Sequence, residues 1–197
     1  MNKAAFLDRD GVINRKAASE GEYVTHWERM QILPGVAEAI ALLNRAGYLV
    51  IVVSNQRSVA KGLVTAADLD VLHRRMCDEL ARAGARIDAV YYCPHELQPP
   101  CGCRKPQPGM LLQASRTHNL KLSASWMIGD SDTDIDAGKN AGCRTVRVLR
   151  TDETVNGKAN LIAQSLLDAT QQILECEKSV AIEPRPTKHA AGAIFSK

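Results

Sequence analysis

The sequence predicts an α/β domain: a Rossmann-like parallel sheet with helices on both faces, no large cap domain and one small metal-binding loop. Three observations predict it. Short apolar, β-branched runs alternate with amphipathic helical stretches through the first 150 or so residues, the pattern of a parallel sheet covered on both sides. Each run stops abruptly at polar or acidic residues, and in parallel sheets such strand ends converge on one crevice. No long insertion follows the first or third run, so no cap domain is expected.

The first strand is the run at 4–7, which ends in Asp8-Arg9-Asp10-Gly11. Alternate residues of an extended segment point the same way, so Asp8 and Asp10 face one site. Two adjacent carboxylates repel unless a cation lies between them, and hard oxygen ligands favour Mg²⁺. Residues 11–33, with Gly11, Gly21 and Tyr23-Val24, read as a loop or flap over that strand end. Pro34-Gly35 opens a helix whose Val36, Ile40 and Leu43 share a face, and Gly47 closes it.

The second strand, 48–53, stops at Ser54-Asn55-Gln56-Arg57. Thr65 and Asp68 resemble a capping box for a helix bearing Leu69, Leu72, Met76 and Leu80, which halts at Gly84. A third strand at 87–92 leads straight into a cysteine cluster, and Pro108 starts a helix to about His118. The fourth strand, 125–128, ends in Gly129-Asp130-Ser131-Asp132-Thr133-Asp134. A short helix then reaches Ala141-Gly142, and 143–149 is the fifth strand. A last helix is expected over 158–176, with Leu161, Ile162, Leu166 and Leu167. Residues 177–197, with Pro184 and Pro186, are expected to be a flexible tail, so the domain is 1–176.

Composition narrows the function. At 197 residues one domain with a real core fits. A net charge of +3 and 4% aromatic residues, with no basic and aromatic clustering, argue against a nucleic-acid module. No run is long enough to span a bilayer, and the first strand begins too early for a leader, so the expected address is the cytoplasm. Cys77, Cys143 and Cys176 are scattered and read as packing residues. Cys93-Pro94-His95 and Cys101-Gly102-Cys103 are clustered, and three thiols plus one imidazole complete a tetrahedral Zn²⁺ shell with no open position. A structural zinc is expected there, pinning the loop that presents Arg104 and Lys105. His26, His73, His118 and His189 have no partner pattern and read as structural or surface residues.

At the strand ends the chain offers a hydroxyl (Ser54), an amide (Asn55) and an ammonium (Lys105), all suited to phosphoryl oxygens. One carboxylate can attack phosphorus while the other moves protons. The set fits phosphoryl transfer to an enzyme aspartate. A phospho-accepting signalling receiver shares the sheet, an Asp, Mg²⁺ and a Lys, but predicts no second acid like Asp10, no zinc loop and a long-lived phosphoaspartate.

Asp8-x-Asp10-Gly11-Val12-x-Asn14, Ser54-Asn55-Gln56, Arg104-Lys105-Pro106 and Gly129-Asp130-x-x-x-Asp134 resemble, in order, the four motifs of haloacid dehalogenase (HAD) superfamily phosphatases. The likeness is greatest to the D-glycero-D-manno-heptose 1,7-bisphosphate 7-phosphatases and their histidinol-phosphate phosphatase relatives. The resemblance implies Asp8 as nucleophile and Asp10 as general acid/base. It implies Mg²⁺ on Asp8, the Asp10 backbone carbonyl and Asp130, with Asp134 in support. Ser54 and Lys105 would steady the phosphoryl group, and Asn55, Gln56, Arg57 and Arg104 would meet substrate. A heptose 1,7-bisphosphate, attacked at its 7-phosphate, is the implied substrate, with histidinol phosphate or another small phosphomonoester as the alternative. No nucleic-acid or membrane partner is implied, and a monomer is expected. Where the family reads Asn-Gln-Ser/Ala-Gly-x-Ala-Arg-Gly, this chain has Asn55-Gln56-Arg57-Ser58-Val59-Ala60-Lys61-Gly62, and its flap is longer between Asn14 and Tyr23. Both differences fall on the substrate side.

Overall fold

Strand parity divides the core into two layers. In β1 (Lys3–Leu7), Ala5 and Leu7 pack on one face of the sheet while Ala4 and Phe6 pack on the other. β2 (Tyr48–Asn55) repeats this, with Val50 and Val52 on the first face and Ile51 and Val53 on the second. All of these side chains are buried, so no polar alternation is needed and the strands read as continuous apolar runs. α1 (Val36–Arg45), α2 (Ala66–Arg82) and α5 (Leu166–Ile182) cover the first face with Ile40 and Leu43, Leu69 and Met76, and Ile173. α3 (Gly109–His118) and α4 (Asp132–Ala141) cover the second with Met110, Leu111 and Ala137. The computed structural model describes residues 1–17, 19, 21–149 and 158–182.

With β3 (Ala89–Cys93), β4 (Trp126–Gly129), β5 (Arg144–Val148) and β6 (Leu161–Ala163), the sheet has six parallel strands in the order β3-β2-β1-β4-β5-β6. The chain direction reverses its march between β1 and β4, the switch point where an α/β sheet opens a crevice. Leu7 pairs with Val52 and with Ile128, and Asn55 with Cys93. Register therefore sets Asp8 level with Val53, one residue before Ser54, on one side and with Gly129, one residue before Asp130, on the other, with the cysteine loop one strand further out.

Two local expectations change. The stretch expected as one helix over 158–176 is β6 followed by α5, which runs to Ile182. Asn160 explains the break: its side-chain oxygen accepts from the Thr145 N–H at 2.8 Å, drawing the segment alongside β5. Ser165 then caps α5, its hydroxyl accepting from the Asp168 N–H at 3.1 Å. Glu177, expected at the start of the tail, lies in α5 and pairs with Lys3 at 2.7 Å and with the Tyr48 hydroxyl. The remainder of the expected tail, from residue 183, and His189 with it, lie outside the described residues.

The flap between β1 and α1 contains a single 3-10 turn, Trp27–Arg29, among its described residues, consistent with a fold that has no large cap. Among the described residues no helix is long and apolar enough to cross a membrane. Thr65 accepts from the Asp68 N–H at 3.1 Å, as its spacing predicts. Ile51→Ala, which empties a fully buried position of the central sheet, is expected to lower the unfolding free energy by about 2–5 kcal/mol. Thr65→Ala, which removes one exposed cap, is expected to lower it by about 1 kcal/mol. Denaturant unfolding of the two variants checks both the sizes and the order.

Candidate active site and metal centres

Lys105 is the pivot of the crevice. Its ammonium is buried and donates to Asp8 Oδ1 at 2.6 Å and to the Val53 carbonyl at 2.7 Å, and it pairs with Asp134 Oδ1 at 2.6 Å. Three donors meet three acceptors. Burial works against the charge, yet Asp134 and Asp8 outweigh it and hold the Lys105 pKa well above the usual range. Asn55 brackets the Lys105 backbone from both sides, donating to its carbonyl at 3.1 Å and accepting from its N–H at 3.0 Å. Asn55 was expected to meet substrate; it lines the cleft, but its amide is committed to this bracket.

Asp8 emerges from β1 with its N–H on the Ile128 carbonyl at 3.0 Å. Burial pushes its pKa up to about 7; Lys105 opposes that, while Asp134, Asp130 and Asp10 add to it. Asp8, Asp130 and Asp134 offer carboxylate oxygens within 4.8 Å of one another. Three buried acids around one lysine leave negative charge unbalanced, and such a set suits a hard divalent cation. Asp134 is already engaged, since its Oδ2 accepts from the Ser131 N–H at 3.0 Å and hydroxyl at 2.6 Å as its Oδ1 holds Lys105. Asp8 and Asp130 are thus the side chains with most to give a metal. Lys16, from the flap, also reaches Asp130, at 3.0 Å; nothing in the sequence spacing pointed to it.

The Asp10 carboxylate turns away from this trio. Arg9 Nη2 donates to its two oxygens at 2.9 and 2.8 Å and Arg9 Nε to Oδ2 at 3.1 Å. Asn14 and Gln56 each donate at 2.9 Å. Burial opposes ionisation, but Arg9 and the two amides hold the Asp10 pKa below the usual carboxylate range. Two glycines let these groups close up. At Gly11 (φ +101°) a Cβ would lie 2.1 Å from Asp130 Oδ2, and at Gly129 one would lie 2.1 Å from Asp134 Cβ.

A cleft of about 260 Å³ opens over Asp8, Asp10, Ser54 and Lys105, with Lys16 and Tyr23 from the flap at its edge. A second hollow of about 350 Å³ shares Asn55, Lys105 and Thr133 with it and extends to Arg104. Two residues expected on the substrate side are placed elsewhere. Gln56 is buried behind the cleft, its amide donating to Ser54 Oγ at 2.8 Å as well as to Asp10. Arg57 pairs with Glu96 of the cysteine loop. In both cases a nearer acceptor claims the donor.

In that loop, Cys93 Sγ lies 3.6 Å from Cys101 Sγ and 3.5 Å from His95 Nδ1. Cys103 Sγ lies 3.5 Å from Cys101 Sγ and 3.2 Å from His95 Nδ1. A tetrahedron with Zn–S legs of about 2.3 Å has edges of roughly 3.8 Å, so the four donors fit one ion. They are too far apart for a disulfide. The loop is seated on α3 through Gly109, whose N–H reaches the Gly102 carbonyl at 3.1 Å; a Cβ at 109 would lie 2.2 Å from that oxygen.

These features agree with what the chain is similar to. A family model described as HAD-hydrolase-like matches residues 102–169. Over 166 residues the chain is 44% identical to the D-glycero-beta-D-manno-heptose-1,7-bisphosphate 7-phosphatase of Rhodopseudomonas palustris, covering 81% of this chain and 90% of that protein. Over 149 residues it is 40% identical to the D-glycero-alpha-D-manno-heptose-1,7-bisphosphate 7-phosphatase of Mycobacterium bovis, covering 73% of this chain and 77% of that one. Its fold matches the crystal structure of D,D-heptose 1,7-bisphosphate phosphatase from B. bronchiseptica complexed with magnesium and phosphate. The TM-score is 0.79 at 32% identity, over 88% of this chain and 98% of the other. With the strand order, the four motif clusters at one crevice and the cysteine loop all in place, the chain belongs to the heptose-1,7-bisphosphate 7-phosphatase family of the haloacid dehalogenase-like hydrolases.

Proposed function

We propose that this chain hydrolyses the 7-phosphate of a D-glycero-D-manno-heptose 1,7-bisphosphate through a phosphoaspartyl intermediate on Asp8. The observation that carries the reading is the placement of Asp8 at the floor of the cleft, held by Lys105, with a second acid, Asp10, two residues on and separately oriented. An Asp8 oxygen attacks phosphorus; the bond to the sugar oxygen breaks, and Asp10 delivers a proton to that oxygen. Asp10 then takes a proton from water, which attacks the same phosphorus and returns Asp8 as a carboxylate. Lys105 and Ser54 supply positive charge and a hydroxyl to the phosphoryl oxygens. Mg²⁺ held by Asp8, Asp130 and the Asp10 carbonyl would supply further positive charge for that group. Zn²⁺ on Cys93, His95, Cys101 and Cys103 would fix the loop that carries Lys105 and Arg104. The hollow of about 350 Å³ lined by Arg104 supports a place for the sugar and its other phosphate. The setting proposed is a monomer in the cytoplasm, the latter supported by six free cysteines.

A panel of phosphate esters, with Mg²⁺ supplied and then chelated, tests the substrate: heptose bisphosphate is expected to turn over fastest, and a clear preference for histidinol phosphate would replace this assignment. Asp8→Asn is expected to abolish turnover with the thermal midpoint unchanged within a few degrees; retained turnover removes Asp8 as nucleophile. Metal analysis is expected to find about one zinc per chain in the protein as purified. Cys101→Ser should lose that zinc and lower both the melting temperature and the rate.

A further inference from the structure

His73 is a buried imidazole that the mechanism above leaves unused. It projects from α2 and is 3% exposed. Its Nε2 lies 3.1 Å from Arg9 Nη1, and its ring packs against Tyr92 with centroids 5.5 Å apart. Arg9 has no acceptor capacity, so Nε2 must be the acceptor and the proton sits on Nδ1. That Nδ1 is buried without a hydrogen-bond partner. A buried orphan donor costs about 1–3 kcal/mol, and a core histidine whose sole polar contact is one face of an arginine calls for an explanation.

Arg9 supplies it. The guanidinium is fully buried and every arm is taken: Nε and Nη2 by Asp10, Nη2 also by the Val24 carbonyl at 2.9 Å, and Nη1 by His73. A carboxylate in place of His73 would compete with Asp10 for the charge. An apolar side chain would leave Nη1 unpaired and free the guanidinium to tilt toward another acceptor. A neutral imidazole satisfies the arm and takes none of the charge.

We propose that His73 is a positioning residue for proton transfer: as an acceptor to Nη1 it squares Arg9 onto Asp10, and so sets where the Asp10 carboxylate points. This rests on the reading of Asp10 as the acid/base. The charged groups packed around Asp10 are Arg9 and Asp8, with neutral Asn14 and Gln56 completing its contacts. Around His73 they are Arg9 and, across Arg9, Asp10; Asp70, Arg74 and Asp88 line the surface hollow on its outer side. Burial and Arg9 hold the His73 pKa at about 3, so it stays neutral through the working range.

The test compares wild type, His73→Leu and His73→Gln, all checked for folding by circular dichroism. The Gln carbonyl oxygen can accept from Arg9 as the imidazole does. On the ester that the wild type hydrolyses, His73→Leu is expected to lower kcat at least tenfold and leave KM within twofold. His73→Gln is expected to restore most of the rate. Hydrogen exchange at the Arg9 Nε–H, followed by NMR without substrate, is expected to accelerate at least tenfold in His73→Leu and not in His73→Gln. An unchanged kcat in His73→Leu, no rescue by His73→Gln, or unchanged Arg9 exchange overturns the proposal. The exchange measurement needs no turnover, so it fails independently of the phosphatase assignment.

Discussion

The molecule depends on one buried cation among buried acids. Asp8, Asp130 and Asp134 converge where water is largely excluded, and Lys105 sits between two of them. Carboxylates left alone in such a place protonate rather than stay charged, and Asp8 already stands at about 7 with the lysine present. A protonated Asp8 is no nucleophile, so the fold must keep the ammonium where it is. It does so with the Val53 carbonyl and the Asn55 bracket, both from β2. Asp8, its countercharge and the central sheet thus form a single electrostatic unit.

The two acids of the opening loop are kept in different company. Burial and the neighbouring carboxylates raise the proton affinity of Asp8 against the pull of one lysine; around Asp10 a guanidinium and two amides outweigh burial and lower it. Two carboxyl groups separated by a single residue are thus held by different partners and point to different places, Asp8 to Lys105 and Asp10 to Arg9. The tight turn at Gly11, whose N–H reaches the Asn14 carbonyl at 2.7 Å, brings Asn14 back onto Asp10 and separates the two environments within a few residues.

Much of this was legible beforehand because it is written in patterns with strong physical periods. Buried strands show as unbroken apolar runs, and polar residues at their ends mark the crevice; Asp8, Ser54, Lys105 and Asp130 do come together there. Caps are nearly as explicit, as Thr65 shows. The structure adds to the sequence reading where a pattern is ambiguous or a contact is distant. Leu161, Ile162, Leu166 and Leu167 fit a helical face, and the overlooked sign was the Ser165-x-x-Asp168 start signal between them. Gln56 and Arg57 follow Asn55 and so shared its expectation, but their side chains are fixed by Asp10 and Glu96, neither of which is near in sequence. Arg9 and His73 lie 64 residues apart and carry no shared motif. Long-range pairing of this kind leaves no local trace.

The cysteine loop gains its importance from where the chain goes next. Cys103 is followed after one residue by Lys105, so whatever fixes the loop also fixes the lysine. Four separate ties converge on it: the Cys93, His95, Cys101 and Cys103 donor set, the Gly102–Gly109 contact to α3, the Asn55 bracket, and the Arg57–Glu96 pair. Loops are ordinarily the mobile part of an α/β domain, and a charge whose position must hold to a few tenths of an ångström cannot be left on one. A closed, four-coordinate ion stabilises such a loop without adding reactivity of its own. The arrangement offers two candidate metal sites of opposite design: one with carboxylates at the bottom of the cleft, the other enclosed by sulfur and imidazole at its rim. An ion in the second would serve the first by holding Lys105 against Asp8.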